Sequence, residues 1–145
     1  MSLTFDALNV GDVQVTRGRT ITEADIVNWC ALTGDWFTLH SDAVAAAKSP
    51  FGQRVAHGML IWAFSAGLCV PADSKTILAN YGSDKLRYVA PVFIGDTIHM
   101  ELEVLEKEDR DAKTGVVNFR WDVFNQNDRA VCVSQVKVLM AKGKA

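Results

Sequence analysis

The chain has 145 residues, the usual size of one folded domain. Hydrophobic residues make up 49% and charged residues 22%, so the composition supplies a core and excludes a mainly disordered chain. The formal net charge is −2, with 15 Lys and Arg against 17 Asp and Glu and no basic run, which argues against a nucleic-acid partner. These properties predict a single domain over residues 1–145.

The sequence also argues against a membrane or secreted protein. The longest apolar stretch, Met59–Val70, is too short to span a bilayer. The N-terminal MSLTFDALNVGD lacks a charged region followed by an apolar one, so no signal peptide is predicted. The wide, irregular spacing of Cys30, Cys69 and Cys132 fits neither a disulfide framework nor a zinc site and indicates reduced, mostly buried thiols. A cytoplasmic location is therefore expected.

The chain begins with a predicted strand over Val13–Thr20. Thr22 then has the properties of a helix N-cap, with Asp25 three residues later, and the helix is predicted to run to Thr33. Gly34 can end it.

Two further helices follow. One is short and covers about Asp42–Lys48, whereas the other covers Gly58–Val70 and is apolar nearly all round. Such a pattern is typical of a helix buried on several sides. Pro71 marks its end.

In the second half of the chain the hydrophobic period changes from 3.6 to 2, which indicates half-buried strands. The alternation is clearest within Ile98–Leu105 and Val117–Phe124. A third strand, Arg129–Met140, changes its apolar phase, which suggests a bulge near Ser134–Gln135, and a weaker strand covers about Ile77–Val89. A long antiparallel sheet wrapped around one apolar helix would bury that helix, so the predicted class is α+β.

Two of the three histidines lie close to an aspartate in the helical region. Asp35 and His40 are five residues apart, which puts them on different faces of a regular helix. Gly34 instead favours an irregular loop that can turn both side chains toward one point. A carboxylate and an imidazole that share a water form a workable acid/base pair. The alternative is a turn-capping Asp35 and a partly buried His40, while His99 lies on the polar phase of a strand and is interpreted as solvated.

A second candidate group stands where the apolar helix begins. The Gly58 amide at this N-terminus could polarise a carbonyl oxygen, or the glycine could serve packing alone. His57 could cap the helix or donate a structural hydrogen bond. Asp35, His40 and His57 would form a two-histidine, one-carboxylate metal site, but their spacing does not support one, so no metal or other cofactor is predicted. Neither a Gly-x-Ser-x-Gly elbow nor a phosphate-binding glycine motif is present.

Three segments of the chain carry a family resemblance: LTGDWFTLH at residues 32–40, FGQRVAHGML at 51–60 and LRYVAPVFIGDT at 86–97. Together they resemble the MaoC-like, (R)-specific enoyl-CoA hydratase family over about residues 10–140. The resemblance implies a hot-dog fold, in which an antiparallel sheet wraps a long central helix. This agrees with the predicted order of elements.

The resemblance also implies an activity, the reversible addition of water to a trans-2-enoyl-CoA thioester to give an (R)-3-hydroxyacyl-CoA. Asp35 and His40 would form the catalytic dyad that activates the water, with the roles of base and proton donor open between them. The Gly58 amide would bind the thioester oxygen. The substrate contacts are expected from side chains in or beside the motifs: Trp36, Phe37, His57, Met59 and Arg87.

The chain departs from the family pattern Gly-Asp-x-Asn-Pro-x-His at two positions. Phe37 replaces the Asn and Thr38 replaces the Pro, although the spacing from Asp35 to His40 is kept. Losing a turn-forming amide and a rigid φ angle predicts a differently shaped loop. The adjacent aromatic side chains of Trp36 and Phe37 either pack or narrow the acyl pocket.

Two other functions stay open. A hot-dog acyl-CoA thioesterase would use Asp35 to activate water against the thioester carbonyl, with His40 orienting the water. A non-catalytic acyl-CoA-binding domain is favoured by Phe37 and Thr38. The retained pair of Asp35 and His40 favours the hydratase.

The resemblance further implies partners. In this family the ligand tunnel lies between two subunits, and a single hot-dog sheet has edge strands, so a homodimer or a multiple of dimers is expected. The phosphates of CoA need cationic partners. The candidates are Arg54, Lys85 and Arg87, which could equally be ordinary surface charges.

Overall fold

The computed structural model describes residues 4–71 and 75–143. A 3-10 turn and two short strands come first: Phe5–Ala7, β1 (Val13–Val15) and β2 (Arg19–Thr20). Four helices follow: α1 (Glu23–Thr33), α2 (Thr38–Ser41), α3 (Ala43–Ala47) and α4 (Gly58–Cys69). Four long strands complete the fold: β3 (Ile77–Tyr88), β4 (Thr97–Asp109), β5 (Thr114–Phe124) and β6 (Ala130–Ala141).

The strands form one antiparallel sheet in the order β1-β4-β5-β6-β3, with β2 also paired to β4. The alternation that the sequence predicts for β4 and β5 is confirmed. The inward side chains of these two strands are buried: Ile98, Met100, Leu102, Val104, Val117, Phe119, Trp121 and Val123. One face of the sheet therefore supplies much of the core.

Helix α4 packs against β4 and β6 on that inner face. Ser65, which is fully buried, links the helix to the sheet, because its Oγ accepts the Nε1–H of Trp121 at 3.1 Å and donates to the Trp62 carbonyl at 2.6 Å. The sheet that wraps this helix is the hot-dog fold, as the resemblance implies.

The prediction that α4 is buried on several sides is confirmed in part, because Trp62, Phe64 and Ala66 are half-buried against the core but one side of the first turn is exposed. Its buried residues are Leu60, Ile61, Ser65 and Cys69. Met59 is 52% exposed, since it lies on the opposite side of the first turn and borders the site described below. The helix ends at Cys69, with Val70 as its C-cap.

The predicted first strand, Val13–Thr20, is broken into β1 and β2. Thr16 makes the break because its side chain takes part in the pairing: its Oγ accepts the N–H of Met100 at 2.9 Å, while its own N–H donates to the Met100 carbonyl. The chain is therefore redirected before β2 meets the start of β4.

The bulge in β6 itself lies at Val131, whereas the irregularity near the predicted Ser134–Gln135 lies in the facing strand β3, where the two residues between Asp84 and Arg87 face Ser134 alone. Cys132 pairs with Val123 and Ala130 with Phe124, which leaves Val131 as the extra residue. Ser134 keeps the inward phase and is buried. Because Ser134 is polar but lies at a core position, it interrupts the apolar alternation without a shift in the strand's phase.

The predicted ends of α1 are confirmed. Thr22 and Asp25 form a reciprocal capping box, and Gly34 ends the helix with φ 77°. The short helix predicted over about Asp42–Lys48 is confirmed as α3, with Asp42 as its N-cap, whereas α2 was not predicted.

Cys30, Cys69 and Cys132 are buried free thiols, as predicted. Among the residues that the structure describes, no helix has the length and apolar character needed to cross a membrane.

Candidate active site

Asp35 lies in the turn that joins α1 to α2, and His40 lies on α2 itself. After Gly34 ends α1, Asp35 Oδ1 accepts the backbone N–H of Phe37 at 3.2 Å, and Phe37 is the N-cap residue of α2. His40 lies on the single turn of α2, so the predicted irregular loop covers only residues 34–37. The Asp35 side chain thus forms the turn that leads to His40.

A backbone carbonyl fixes the tautomer of His40. Its Nδ1 is 2.7 Å from the carbonyl oxygen of Val55. Because a carbonyl oxygen only accepts, Nδ1 carries the hydrogen and Nε2 of the neutral ring keeps its lone pair. Val55 is held in turn by its N–H, which donates to the Leu39 carbonyl at 3.3 Å, and by a β-bridge to Phe93.

His57 is buried beside His40 and is 4% exposed. The two rings are stacked with centroids 3.7 Å apart. Nε2 of His57 is 3.2 Å from the Asp35 carbonyl oxygen and therefore carries the hydrogen. Burial is the main cause that lowers the pKa of His57, and the neighbouring His40 lowers it too, so the ring is neutral at neutral pH.

The three side chains converge, which their spacing in the sequence did not indicate. One carboxylate oxygen of Asp35 and one ring nitrogen of each of His40 and His57 lie within 4.8 Å of one another. However, Nε2 of His57, which is 3.8 Å from Asp35 Oδ2, carries a hydrogen and cannot also ligate a cation. A carboxylate oxygen of Asp35 and Nε2 of His40 are both acceptors and can hold a shared water.

Asp35, His40 and His57 line an open cavity of about 420 Å³, which we call the dyad cavity. Its other lining residues are Trp29, Thr33, Gly58, Met59 and Tyr88. As the first residue of α4, Gly58 has an N–H without an intrahelical partner, at the positive end of the helix dipole. The cavity therefore combines a carboxylate, an imidazole and a helix N-terminus.

Tyr88 is a site residue that the sequence analysis missed. A Cβ on Gly58 would lie 2.6 Å from the Tyr88 ring, so only glycine allows this approach. The Tyr88 hydroxyl donates to the Met59 sulfur at 2.9 Å. Gly58 therefore has a packing reason as well as a place in the dyad cavity. The motif pointed to Arg87, the residue before Tyr88, as a substrate contact. Adjacent strand residues point to opposite faces of the sheet, so Arg87 and Tyr88 do not share a side.

The predicted substrate contacts divide into two groups. His57 and Met59 line the dyad cavity, whereas Trp36, Phe37 and Arg87 are not among its described lining residues. Trp36 is 53% exposed, and Phe37 meets His40 edge-on at 6.0 Å. Arg87 is exposed and its Nη1–H donates to the carbonyl of Leu86.

The other two candidates for CoA phosphates also lie outside the dyad cavity. Arg54 forms an ion pair with Glu23 at 2.7 Å. Lys85 is exposed on β3 and has φ 54°.

Comparison with known proteins identifies the family. The sequence profile described as MaoC like domain matches residues 7–125. The chain is 47% identical over 103 residues to Protein MaoC of Klebsiella aerogenes, which covers 71% of this chain and 31% of that protein. It is 37% identical over 108 residues to 3-hydroxybutyryl-CoA dehydratase of Methylorubrum extorquens. This match covers 72% of this chain and 65% of that protein. The chain thus spans less than two thirds of each of these relatives.

The fold agrees with this family. The chain is similar to the solved structure of R-hydratase PhaJ1 from Pseudomonas aeruginosa, with a TM-score of 0.81 and 32% sequence identity. The match covers 99% of this chain and 88% of that one. Profile, relatives and structure agree: the chain belongs to the MaoC-like domain family.

Proposed function

We propose that the protein catalyses the reversible hydration of a trans-2-enoyl-CoA thioester to the (R)-3-hydroxyacyl-CoA. The observation that carries the proposal is the tautomer of His40. With Nδ1–H held by the Val55 carbonyl, the ring keeps the lone pair of Nε2 while lining the same cavity as Asp35. Relatives named as a hydratase and a dehydratase support this reaction class.

The proposed chemistry uses each of the groups at the cavity. A water held by Asp35 and His40 gives a proton to Nε2 of His40 while its oxygen bonds to C3 of the substrate. The electron pair of the C2–C3 double bond moves toward the thioester oxygen, where the Gly58 N–H and the dipole of α4 stabilise the developing negative charge. His40 then returns the proton to C2, so the enzyme ends in its starting state.

The replacements at Phe37 and Thr38 do not remove the support of the dyad. The Phe37 backbone still donates to Asp35 Oδ1, and Thr38 begins the helical turn that carries His40. A side chain at position 37 is therefore not needed to form this turn. This arrangement supports a catalytic domain over one that only binds acyl-CoA.

We also propose that the functional unit is a homodimer formed through β3. Among the described strands, β3 pairs only with β6, so its other edge offers a second copy a row of backbone donors and acceptors. Exposed apolar side chains accompany this strand: Leu78, Tyr81, Tyr88 and Val89. Sedimentation equilibrium should give twice the chain mass, and a monomer at all concentrations would refute the dimer.

The reaction is tested with crotonyl-CoA by following the loss of the enoyl-thioester absorbance, with a thiol reagent in a parallel cuvette. We expect the absorbance to fall without thiol release. In the reverse direction, (R)-3-hydroxybutyryl-CoA should restore the absorbance and its (S) enantiomer should not. Release of thiol would indicate a thioesterase. Binding of the acyl-CoA with neither a loss of absorbance nor a release of thiol would indicate a non-catalytic domain.

A further inference from the structure

A second cavity adjoins the dyad cavity. It has a volume of about 290 Å³, and Gly58 and Tyr88 line both cavities. Its buried walls are apolar and include Val55, Ile61, Val92 and Val131. Because the Tyr88 ring lies directly against Gly58, it stands at the boundary between the two spaces.

The chemistry of the second cavity points to an alkyl chain. The lining residues that the structure describes carry no charge, so the cavity offers nothing to the phosphates of CoA. Apolar walls and a volume near the lower end for small-molecule sites suit a flexible hydrocarbon segment. A water occupies about 30 Å³ of liquid, so there is room for several methylene groups.

Tyr88 is placed to control access to this space. It is the last residue of β3, and within one chain about half of its side chain is exposed. Its hydroxyl is held by the thioether of Met59, a weak acceptor. Moving or truncating the ring therefore breaks one weak hydrogen bond and opens the boundary beside Gly58.

We infer that Tyr88 determines the acyl-chain length that the protein accepts, and that the second cavity takes the distal methylenes of longer chains. The inference rests on the proposed function, which puts the thioester oxygen at the Gly58 amide and hence the acyl chain beside Tyr88. With the ring in place, the dyad cavity receives a short acyl chain. Without it, the chain extends between Ile61 and Val131.

The test compares kcat/KM for crotonyl-CoA and trans-2-octenoyl-CoA in the wild type, Tyr88→Ala and Tyr88→Phe. Burial of each methylene is worth about a three- to fourfold preference. Tyr88→Ala should therefore raise the octenoyl-to-crotonyl ratio by at least about tenfold. Tyr88→Phe keeps the ring and should leave the ratio within about twofold, because one hydroxyl contact is all it removes.

A second variant locates the gain in the second cavity. Ala90 is a half-buried lining residue at the edge of the core, so Ala90→Leu adds a larger side chain beside the cavity. Combined with Tyr88→Ala, it should cancel most of the gain for the octenoyl substrate. An unchanged ratio in Tyr88→Ala, or a gain that persists after Ala90→Leu, would overturn the inference.

A binding measurement separates this inference from the proposed function. Dissociation constants of the unreactive butyryl-CoA and octanoyl-CoA are measured by calorimetry for the wild type and Tyr88→Ala, so no turnover is needed. The variant should shift the preference toward octanoyl-CoA by a similar factor. Absence of hydration by the wild type would refute the proposed function. An unchanged preference for octanoyl-CoA over butyryl-CoA in the variant would refute the role of Tyr88.

Discussion

The imidazole ring of His40 lies face to face with that of His57, with centroids 3.7 Å apart and planes inclined by 27°. Two adjacent imidazolium ions would repel each other, and besides burial this repulsion is one of the causes that lower the pKa of His57. His57 is the buried ring and its pKa is lowered, mainly by burial. His57 is therefore the neutral neighbour of His40, the residue to which we assign proton transfer.

The lowered pKa of His57 predicts a pH dependence of folding stability. In the unfolded chain the ring takes up a proton as the pH falls through about 6.5, before the folded ring does. Stability is thus fully present above this pH and is lost below it. The urea midpoint should fall more between pH 7.5 and 5.5 for the wild type than for His57→Gln. Both proteins share their carboxylates, so equal falls would refute the assignment.

Gly58→Ala keeps the amide N–H but should lower kcat/KM for crotonyl-CoA by up to about a hundredfold, because the displaced Tyr88 ring obstructs access to this donor. The new methyl group would lie 2.6 Å from the Tyr88 ring and force it aside, next to the amide that we assign to the thioester oxygen. The matched comparison is the double variant with Tyr88→Ala, which removes the clash and should regain part of the activity. Wild-type activity in Gly58→Ala would count against this role of the amide.

Ser65→Ala should destabilise the fold by about 1–3 kcal/mol, because it leaves the Nε1–H of Trp121 without this acceptor in the core. Urea unfolding measures the change. In a Trp121→Phe background that N–H no longer exists, so the same Ser65→Ala change should cost clearly less. Equal costs in both backgrounds would show that the hydrogen bond is not the cause.

Two glycine substitutions should have opposite effects on stability. A Cβ on Gly115 would collide with the buried ring of Phe5, so Gly115→Ala should cost about 1–3 kcal/mol. Gly67 is exposed within α4 and has open space around its Cβ position. Gly67→Ala should therefore stabilise by about 0.5–1 kcal/mol. The two urea midpoints, measured against the wild type, should move in opposite directions.

Local patterns in the sequence were enough to predict most of the fold. The capping box of Thr22 and Asp25 predicted the start of α1, and strict alternation predicted the inward faces of β4 and β5. Both signals act between residues that are near in sequence. The position of the β6 bulge was missed because Ser134 is polar yet buried, and its place depends on contacts with Trp62 and Trp121.

The candidate site could be predicted in part. Asp35, His40 and Gly58 were selected from motifs, and the structure brings them to one cavity. The Val55 carbonyl that fixes His40 could not be predicted, because every residue carries a backbone carbonyl and only the fold decides which one is near. Tyr88 was missed because its place against Gly58 depends on how the end of β3 meets the start of α4.

The most direct test of the account is the hydration rate of crotonyl-CoA by Asp35→Asn and His40→Gln beside the wild type. Each variant should lose about 10²- to 10⁴-fold in kcat, the range of general acid–base catalysis, and the double variant should lose little more because the two residues act as a unit. Urea midpoints close to that of the wild type would confirm that the variants are folded. A folded variant that retains activity within tenfold of the wild type would contradict the assignment of Asp35 and His40 as the catalytic dyad.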